Sequence, residues 1–98
     1  MLEIKPSLMI TLSPDTVLHS LPDQGWFFAF NVSTGDQFKL NQTSFWVLEA
    51  INNGIEWSRL RNDYIATFEV SEEQGEADLC TLLKELYEQA VIKHKEDV

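Results

Sequence analysis

The 98-residue sequence has few of the residues that cross-link or interrupt a chain: one cysteine, three prolines and four glycines. A single cysteine cannot form a disulfide within the chain, which is typical of proteins in reducing compartments, so we expect a cytoplasmic location. No apolar run reaches the ~18–20 residues of a membrane-spanning helix, and the N-terminus lacks the order of a signal peptide. The sequence therefore predicts no membrane partner.

Basic residues are also scarce, since seven Lys and Arg face 16 Asp and Glu, giving a net charge of −9. Binding to a phosphate backbone needs clustered Lys and Arg, so nucleic acid is not the expected partner. Three Trp, six Phe and two Tyr supply enough apolar surface for a folded core, which excludes intrinsic disorder. The length allows one domain, spanning residues 1–98.

Residue patterns that would indicate catalysis or metal binding are missing. His19 and His94 are far apart and have no Cys, His or Asp neighbours at ligand spacing. Cys80 lies in a leucine-rich segment where nothing nearby is cationic enough to favour its thiolate, which predicts a small core residue. The acidic cluster at 69–78 lacks the ligand pattern of a calcium loop. We expect no enzyme activity, no cofactor and no metal.

Three short segments before residue 41 have the alternating pattern of β-strands: Val17–Leu21, Trp26–Val32 and Gln37–Leu40. In the central segment the alternation places Trp26, Phe28, Phe30 and Val32 on one face, and Phe27 and Ala29 on the other. A Gly-containing turn at residues 33–36 predicts a hairpin between the second and third strands. The result is an antiparallel meander with Gln37–Leu40 at its edge.

From Asn41 onward the apolar period changes to that of helices. Asn41 can cap a first helix that stops at Asn52-Asn53-Gly54, and a second begins near Glu56. Ser71 and Gln74 form a capping box for a third helix. The predicted fold is α+β: a three-stranded antiparallel sheet followed by a three-helix bundle like a winged helix-turn-helix. Its parts are a lead-in (1–15), a β meander (16–41), three helices (42–92) and a loose tail (93–98).

An ordered set of residues between Thr34 and Ile92 resembles the PqqD family. It consists of the turn Thr34-Gly35, the junction Leu40-Asn41, the helix residues Trp46, Leu48 and Ile51, Gly54, the stretch Phe68–Ser71, the helix start Ala77-Asp78-Leu79, then Leu82, Leu83 and Leu86, and finally Ala90-Val91-Ile92. Members of this family assist the biosynthesis of the cofactor pyrroloquinoline quinone, and related domains recognise other ribosomally made, modified peptides. The chain departs from the family pattern at Ile55-Glu56, where Thr or Ser is common, and at Ala90-Val91, where Gly is common.

The resemblance implies a non-catalytic chaperone that captures the leader of a precursor peptide. In the family, the leader adds as a strand beside the third strand and packs against the third helix, and the precursor is presented to a modifying enzyme, a radical SAM protein in the quinone pathway. An edge strand with free N–H and C=O groups makes this mechanism physically sensible. The predicted peptide-binding residues are Gln37, Phe38, Lys39, Leu40, Asp78, Leu79, Leu82, Leu86 and Tyr87.

Within this set the residues differ in expected role. Leu79 and Leu86, with Leu83, are the better candidates for the core, which leaves Leu82 and Tyr87 as the expected groove wall. Two roles are open for Lys39: its charge prevents the edge strand from pairing with other chains and aggregating, or it contacts an acidic side chain of the leader.

Two other functions stay open: a winged-helix DNA-binding regulator and a generic protein–protein adaptor. A recognition helix would need Arg, Lys, Asn or Gln toward the bases, and the third helix is mostly acidic. Residues 69–88 hold seven acidic residues against one lysine, a net charge of −6, so a basic or neutral partner surface is expected there. The chain is expected to be a monomer or a weak dimer that pairs through the same edge.

Overall fold

The computed structural model describes residues 4–95, apart from the side chain of Pro22, and within them the chain has an α+β fold. The elements in chain order are β1 (Met9–Leu12), β2 (Thr16–Leu21), a 3-10 turn (Pro22–Gln24), β3 (Trp26–Asn31), β4 (Gln37–Leu40), α1 (Gln42–Ile51), β5 (Ile55–Glu56), α2 (Trp57–Phe68), α3 (Glu72–Glu88) and β6 (Ile92–His94).

Strands β2, β3 and β4 form the predicted antiparallel meander, here called the hairpin sheet, in the order β2-β3-β4. Val17 lies opposite Phe30 and His19 opposite Phe28, while β4 pairs on the other side of β3, with Lys39 opposite Phe28. Ala29 is completely buried, whereas Trp26 is 43% exposed. The predicted separation of the two faces of β3 is therefore confirmed.

A second antiparallel sheet, in the order β5-β1-β6, corrects the prediction of a single three-stranded sheet. Its central strand β1 lies in the segment predicted as an irregular lead-in, and β6 extends into the predicted loose tail, so residues 93 and 94 are ordered in a strand. These strands have four, two and three residues, too few for a clear alternation. Residues 1–3 and 96–98 of the lead-in and tail lie outside the described residues.

The helix boundaries follow local hydrogen bonding. The Asn41 side chain accepts a 2.7 Å bond from the Ser44 N–H at the start of α1, and the Ser71 side chain accepts a 3.1 Å bond from the Gln74 N–H at the start of α3. The return bond of the predicted capping box is not formed, because the Gln74 amide donates to Asp78 instead. Both predicted caps are present, and the cap of α3 consists of the Ser71 bond alone.

One apolar core joins both sheets to the three helices. Its buried members include Ile10, Leu12 and Ile92 of the second sheet, Ala29 of the hairpin sheet, and Leu48, Leu60, Leu79 and Leu83 of the helices. The Phe27 ring lies 5.0 Å from the Phe45 ring of α1, which fixes this helix on the inner face of the hairpin sheet. The opposite face of the hairpin sheet is left outside the core.

Candidate peptide-binding edge

Strand β4 is held at its start by the turn that connects it to β3. The Asn31 side chain accepts hydrogen bonds from the N–H groups of Ser33 (2.9 Å) and Thr34 (3.1 Å), a local bond pattern that favours tight turns. Gly35 has a φ of +81°, which L-residues other than glycine rarely adopt, and its N–H donates to the Asn31 carbonyl. The turn therefore sets the register at which β4 begins.

At its other end β4 runs directly into helix α1 through Asn41, whose side chain caps that helix. The strand is fixed by a turn on one side and by a capped helix on the other. Since β4 is the last strand in the order of the hairpin sheet, its outer side has no strand partner within residues 4–95. The sequence-based prediction of an edge strand at Gln37–Leu40 is confirmed.

The hydrogen-bond pattern decides which backbone groups face outward from the edge. The Asn31 N–H donates to the Asp36 carbonyl at 2.8 Å, so this opposed pair belongs to the hydrogen-bonded set. Hydrogen-bonded and non-hydrogen-bonded pairs alternate along an antiparallel ladder. The backbone N–H and C=O groups of Phe38 and Leu40 therefore bond to β3. The N–H and C=O groups of Gln37 and Lys39 consequently point away from the sheet, where an added strand would meet them.

The side chains of β4 also alternate between two environments. Phe38 and Leu40 are half-buried and pack against the core, whereas Gln37 and Lys39 are exposed on the outer face. The Lys39 ammonium lies 4.9 Å from the centre of the Trp26 ring. A strand added here would therefore place alternate side chains beside an apolar inner surface and beside Lys39.

The predicted residues of α3 divide into two groups. Leu79 is completely buried and Leu86 is 3% exposed, as expected for the two leucines that the sequence favoured for the core. Leu82 and Tyr87 are half-buried against the same core and keep part of their side chains accessible. Asp78 is exposed and accepts a 2.8 Å hydrogen bond from the Gln74 amide.

An open depression of about 540 Å³ lies where β4 meets α1, and sequence reasoning did not predict it. It is lined by Gly25, Phe27, Lys39, Leu40, Asn41 and Gln42. Phe27 and Leu40 provide apolar surface, and the Asn41 and Gln42 amides and the Lys39 ammonium are polar. The alternation of β3 indicated that Phe27 faces inward, but only the packing of α1 shows that a space remains beside it.

The acidic surface of α3 is partly neutralised by α2. Arg61 places its Nε 3.1 Å from a Glu76 carboxylate oxygen and its guanidinium 3.9 Å from Glu72. The charge of Asp78 acts on Tyr64, whose pKa is raised first by burial and then by this carboxylate. The negative field predicted for the helix is thus reduced on the side facing α2 and retained toward its C-terminal half, at Glu85 and Glu88.

Cys80 is the one cysteine of the sequence, and its surroundings bear on its reactivity. Burial, followed by the nearby Glu76 charge, raises the pKa of the Cys80 thiol, and the Lys84 charge acts in the opposite direction. A raised pKa disfavours the thiolate that a nucleophile needs. Within residues 4–95 no group of three His, Cys, Asp or Glu side chains could hold a metal ion, and no helix is long and apolar enough to cross a membrane.

The fold and the open edge define an α+β domain with an accessible sheet edge, and comparison with known proteins gives its family. Residues 10–92 match the family model described as Coenzyme PQQ synthesis protein D (PqqD). The chain belongs to the PqqD family.

Comparison with solved structures supports the same fold. The structure is similar to one described as "TbiB1 in Complex with the TbiA(beta) Leader Peptide", with a TM-score of 0.75, 17% sequence identity, and coverage of 89% of this chain and 99% of that chain. No curated protein matches the sequence.

Proposed function

We propose that this chain is a non-catalytic peptide chaperone that binds the leader of a ribosomally made precursor peptide at the outer edge of β4. The observation that carries the proposal is the outer edge of β4, where the backbone groups of Gln37 and Lys39 have no strand partner within residues 4–95. A turn fixes the start of this strand, and a capped helix fixes its end. Membership in the PqqD family supports it. The similar structure of TbiB1, which is described in complex with a leader peptide, supports it further.

In the proposed complex the leader pairs with the outward N–H and C=O groups of Gln37 and Lys39. These main-chain bonds supply affinity that depends little on sequence, and side chains supply specificity. Leader side chains on the inner side would meet Phe38, Leu82 and Tyr87, which form the proposed groove wall. Each apolar side chain buried there would contribute about 1.5–3 kcal/mol.

The depression beside Phe27 and Leu40 is proposed as an additional contact for the leader. It lies at the end of β4 and has apolar surface together with the Asn41 and Gln42 amides. An apolar leader side chain with a polar tip would match this lining. Lys39, at the border between the depression and the outer face, is proposed to contact an acidic leader residue.

A modifying enzyme is the proposed second partner, and a radical SAM protein is the proposed class because of the pathway for which the family is named. The chain would hold the leader while the enzyme acts on the rest of the peptide. The chemistry is assigned to the enzyme because the described residues hold no group of His, Cys, Asp or Glu that could bind a metal ion, and the raised pKa of Cys80 disfavours its thiolate.

The proposed architecture around the site is a single PqqD-like domain, with its three helices arranged like a winged helix-turn-helix. The shared core of both sheets and all helices supports a single domain. A cytoplasmic location is proposed from the lone cysteine. The acidic character of α3 does not favour the DNA-binding alternative, since phosphates would be repelled.

The testing experiment is a titration of the isotope-labelled chain with a synthetic leader, taken from a short precursor peptide sought among the neighbouring genes. Amide signals of Gln37 and Lys39 and of α3 are expected to shift. Shifts confined to β1, β5 and β6 would reject the proposed site. Raising the salt concentration should weaken binding to a basic leader, because exposed charges on α3 are screened.

A pair of proline variants isolates the role of the edge. Lys39→Pro removes an outward N–H and keeps the β3–β4 ladder, so the fold should persist while leader affinity falls at least about tenfold. Phe38→Pro is the matched control, since it removes an N–H that bonds to β3 and should destabilise the sheet. Unchanged leader affinity in a folded Lys39→Pro variant would overturn strand addition at β4.

A further inference from the structure

The outer edge of β4 is short, and only two of its residues present backbone groups to an added strand. The N–H and C=O groups of Gln37 and Lys39 point outward, while those of Phe38 and Leu40 bond to β3. The chain turns just before this strand, and Asn41 caps α1 directly after it. Few registers are therefore open to a leader strand, and the two outward side chains decide between them.

Lys39 gives this edge a charge that its surroundings lack. It is the only Lys or Arg between Lys5 and Arg59, in a chain with a net charge of −9. Its side chain is exposed, and its ammonium lies 4.9 Å from the centre of the Trp26 ring. The ion pairs found within residues 4–95 lie within α2 or between α2 and α3, so none of them involves Lys39. The ammonium thus has an aromatic neighbour, and no carboxylate of this part of the chain neutralises it.

The other outward position is neutral, and an acidic residue precedes it. Asp36 lies directly before Gln37, is exposed, and accepts a 2.9 Å hydrogen bond from the Thr34 hydroxyl. A leader carboxylate opposite Gln37 would meet no opposite charge and would lie nearer to the Asp36 carboxylate. Opposite charges across a strand pair stabilise it, and like charges destabilise it. The edge therefore favours a leader carboxylate at the Lys39 position alone.

We propose that Lys39 sets the register of the leader strand on β4, and that the accepted leader carries Asp or Glu opposite it. This inference rests on the proposed function, because it needs a leader strand at β4. A shift of the leader by one residue turns its outward side chains inward, which its apolar inner side chains oppose. A shift by two residues keeps the faces but moves the carboxylate about 7 Å away from Lys39. The charge of Lys39 discriminates against this second shift.

Leader binding then changes the contact between Lys39 and Trp26. The ring belongs to β3, on the side of β4 away from the added strand. The ammonium therefore moves off the ring to reach a carboxylate of the leader. The indole N–H signal of Trp26 should shift when the leader is added, and it should shift less when the carboxylate opposite Lys39 is replaced by an amide.

A mutant cycle between the full chain and the leader tests the proposal. The probes are the synthetic leader of the titration described above and copies in which each Asp or Glu in turn is replaced by Asn or Gln. One replacement should weaken binding to the unmodified chain about two- to fivefold and leave binding to Lys39→Met unchanged. Lys93→Met, at an exposed position of β6, removes the same charge and should respond to every copy like the unmodified chain.

Charge reversal shows whether this coupling is specific to one position. A leader copy with Lys at the position found should bind the unmodified chain less tightly, and Lys39→Glu should restore its affinity. A spin label at one end of the leader should broaden a single set of β4 amide signals in the unmodified chain and a wider set in Lys39→Met. Lys39→Gln repeats the cycle if the methionine variant aggregates.

The outcomes separate the register from the site. A leader that shifts the amide signals of Gln37 and Lys39 but has no acidic residue coupled to Lys39 would overturn the register proposal and keep the proposed function. Equal responses of the unmodified chain and of both neutral variants to every leader copy would overturn it as well. A leader that binds without shifting these two amide signals would reject the proposed site itself, and the register with it.

Discussion

Lys39 folds its ammonium over the Trp26 ring of the neighbouring strand, at 4.9 Å from the ring centre. The two residues are diagonal neighbours on one face of the hairpin sheet, because Lys39 lies opposite Phe28 in the β3–β4 register. The contact therefore joins the edge strand β4 to the neighbouring strand β3 on the outer face of the sheet.

This contact predicts a measurable coupling between the two side chains. Lys39→Met and Trp26→Leu, combined in a double-mutant cycle, should show a coupling of about 0.5–1 kcal/mol in the free energy of unfolding. Urea denaturation at low protein concentration measures it. A coupling near zero would mean that the lysine does not interact with the ring in solution.

Leu82 and Leu83 are adjacent on α3 and should respond oppositely to a charge. Leu82→Glu should reduce leader affinity at least about tenfold and leave the far-UV circular dichroism unchanged, because Leu82 is half-buried at the proposed groove. Leu83→Glu should unfold the chain, because Leu83 is completely buried. If Leu82→Glu also unfolds it, Leu82 belongs to the core.

Ala90 has a φ of +61°, in the left-handed region that favours glycine, directly after the end of α3. Ala90→Gly should therefore raise the free energy of unfolding by about 1 kcal/mol. Ala77→Gly, at an exposed interior position of the same helix, should lower it by a similar amount. Thermal denaturation measures both variants. If Ala90→Gly and Ala77→Gly lower the free energy of unfolding by equal amounts, the backbone at Ala90 is not strained.

Gly75 lies inside α3, yet an alanine there should destabilise the chain. An added Cβ would lie 2.7 Å from Cγ1 of Ile65 and 2.9 Å from Cγ2 of Val70. Overpacking of this kind costs about 1–3 kcal/mol, which exceeds the gain in helix propensity. Urea denaturation of Gly75→Ala measures the balance, and a more stable variant would show that Ile65 and Val70 move aside.

Stability should decline at alkaline pH because two groups release protons less readily in the folded chain. The pKa values of Cys80 and Tyr64 are raised above their ordinary values of 9.0 and 10.0, with burial as the largest cause for both. The unfolded chain binds fewer protons above about pH 9, so the free energy of unfolding falls as pH rises. Denaturation experiments from neutral to alkaline pH measure this decline. The free energy of unfolding should fall less steeply with pH in the Tyr64→Phe, Cys80→Ala double variant than in the unmodified chain. Equal slopes would exclude these two groups as the cause.

The strands β2 to β4, the helices and their caps could be predicted from the sequence, because these elements are encoded locally. Alternation in Trp26–Asn31 separates an inner from an outer face, and Asn41 and Ser71 are side chains that satisfy helix N–H groups. The ordered residues of the family were also visible, and the match over residues 10–92 confirms the family. In each case the signal is contained within a few neighbouring residues.

The second sheet and the role of Gly75 depended on the tertiary structure. Ile10 pairs with His94 across nearly the whole chain, and no local pattern encodes such a pairing. Gly75 is required because α2 approaches α3 closely at that point. The leucines of α3 were already divided from the sequence, and the burial of Leu79, Leu83 and Leu86 agrees with their expected place in the core. The sequence determined which segments are strands and helices, and the packing of distant segments decided which of their faces remain open to a partner.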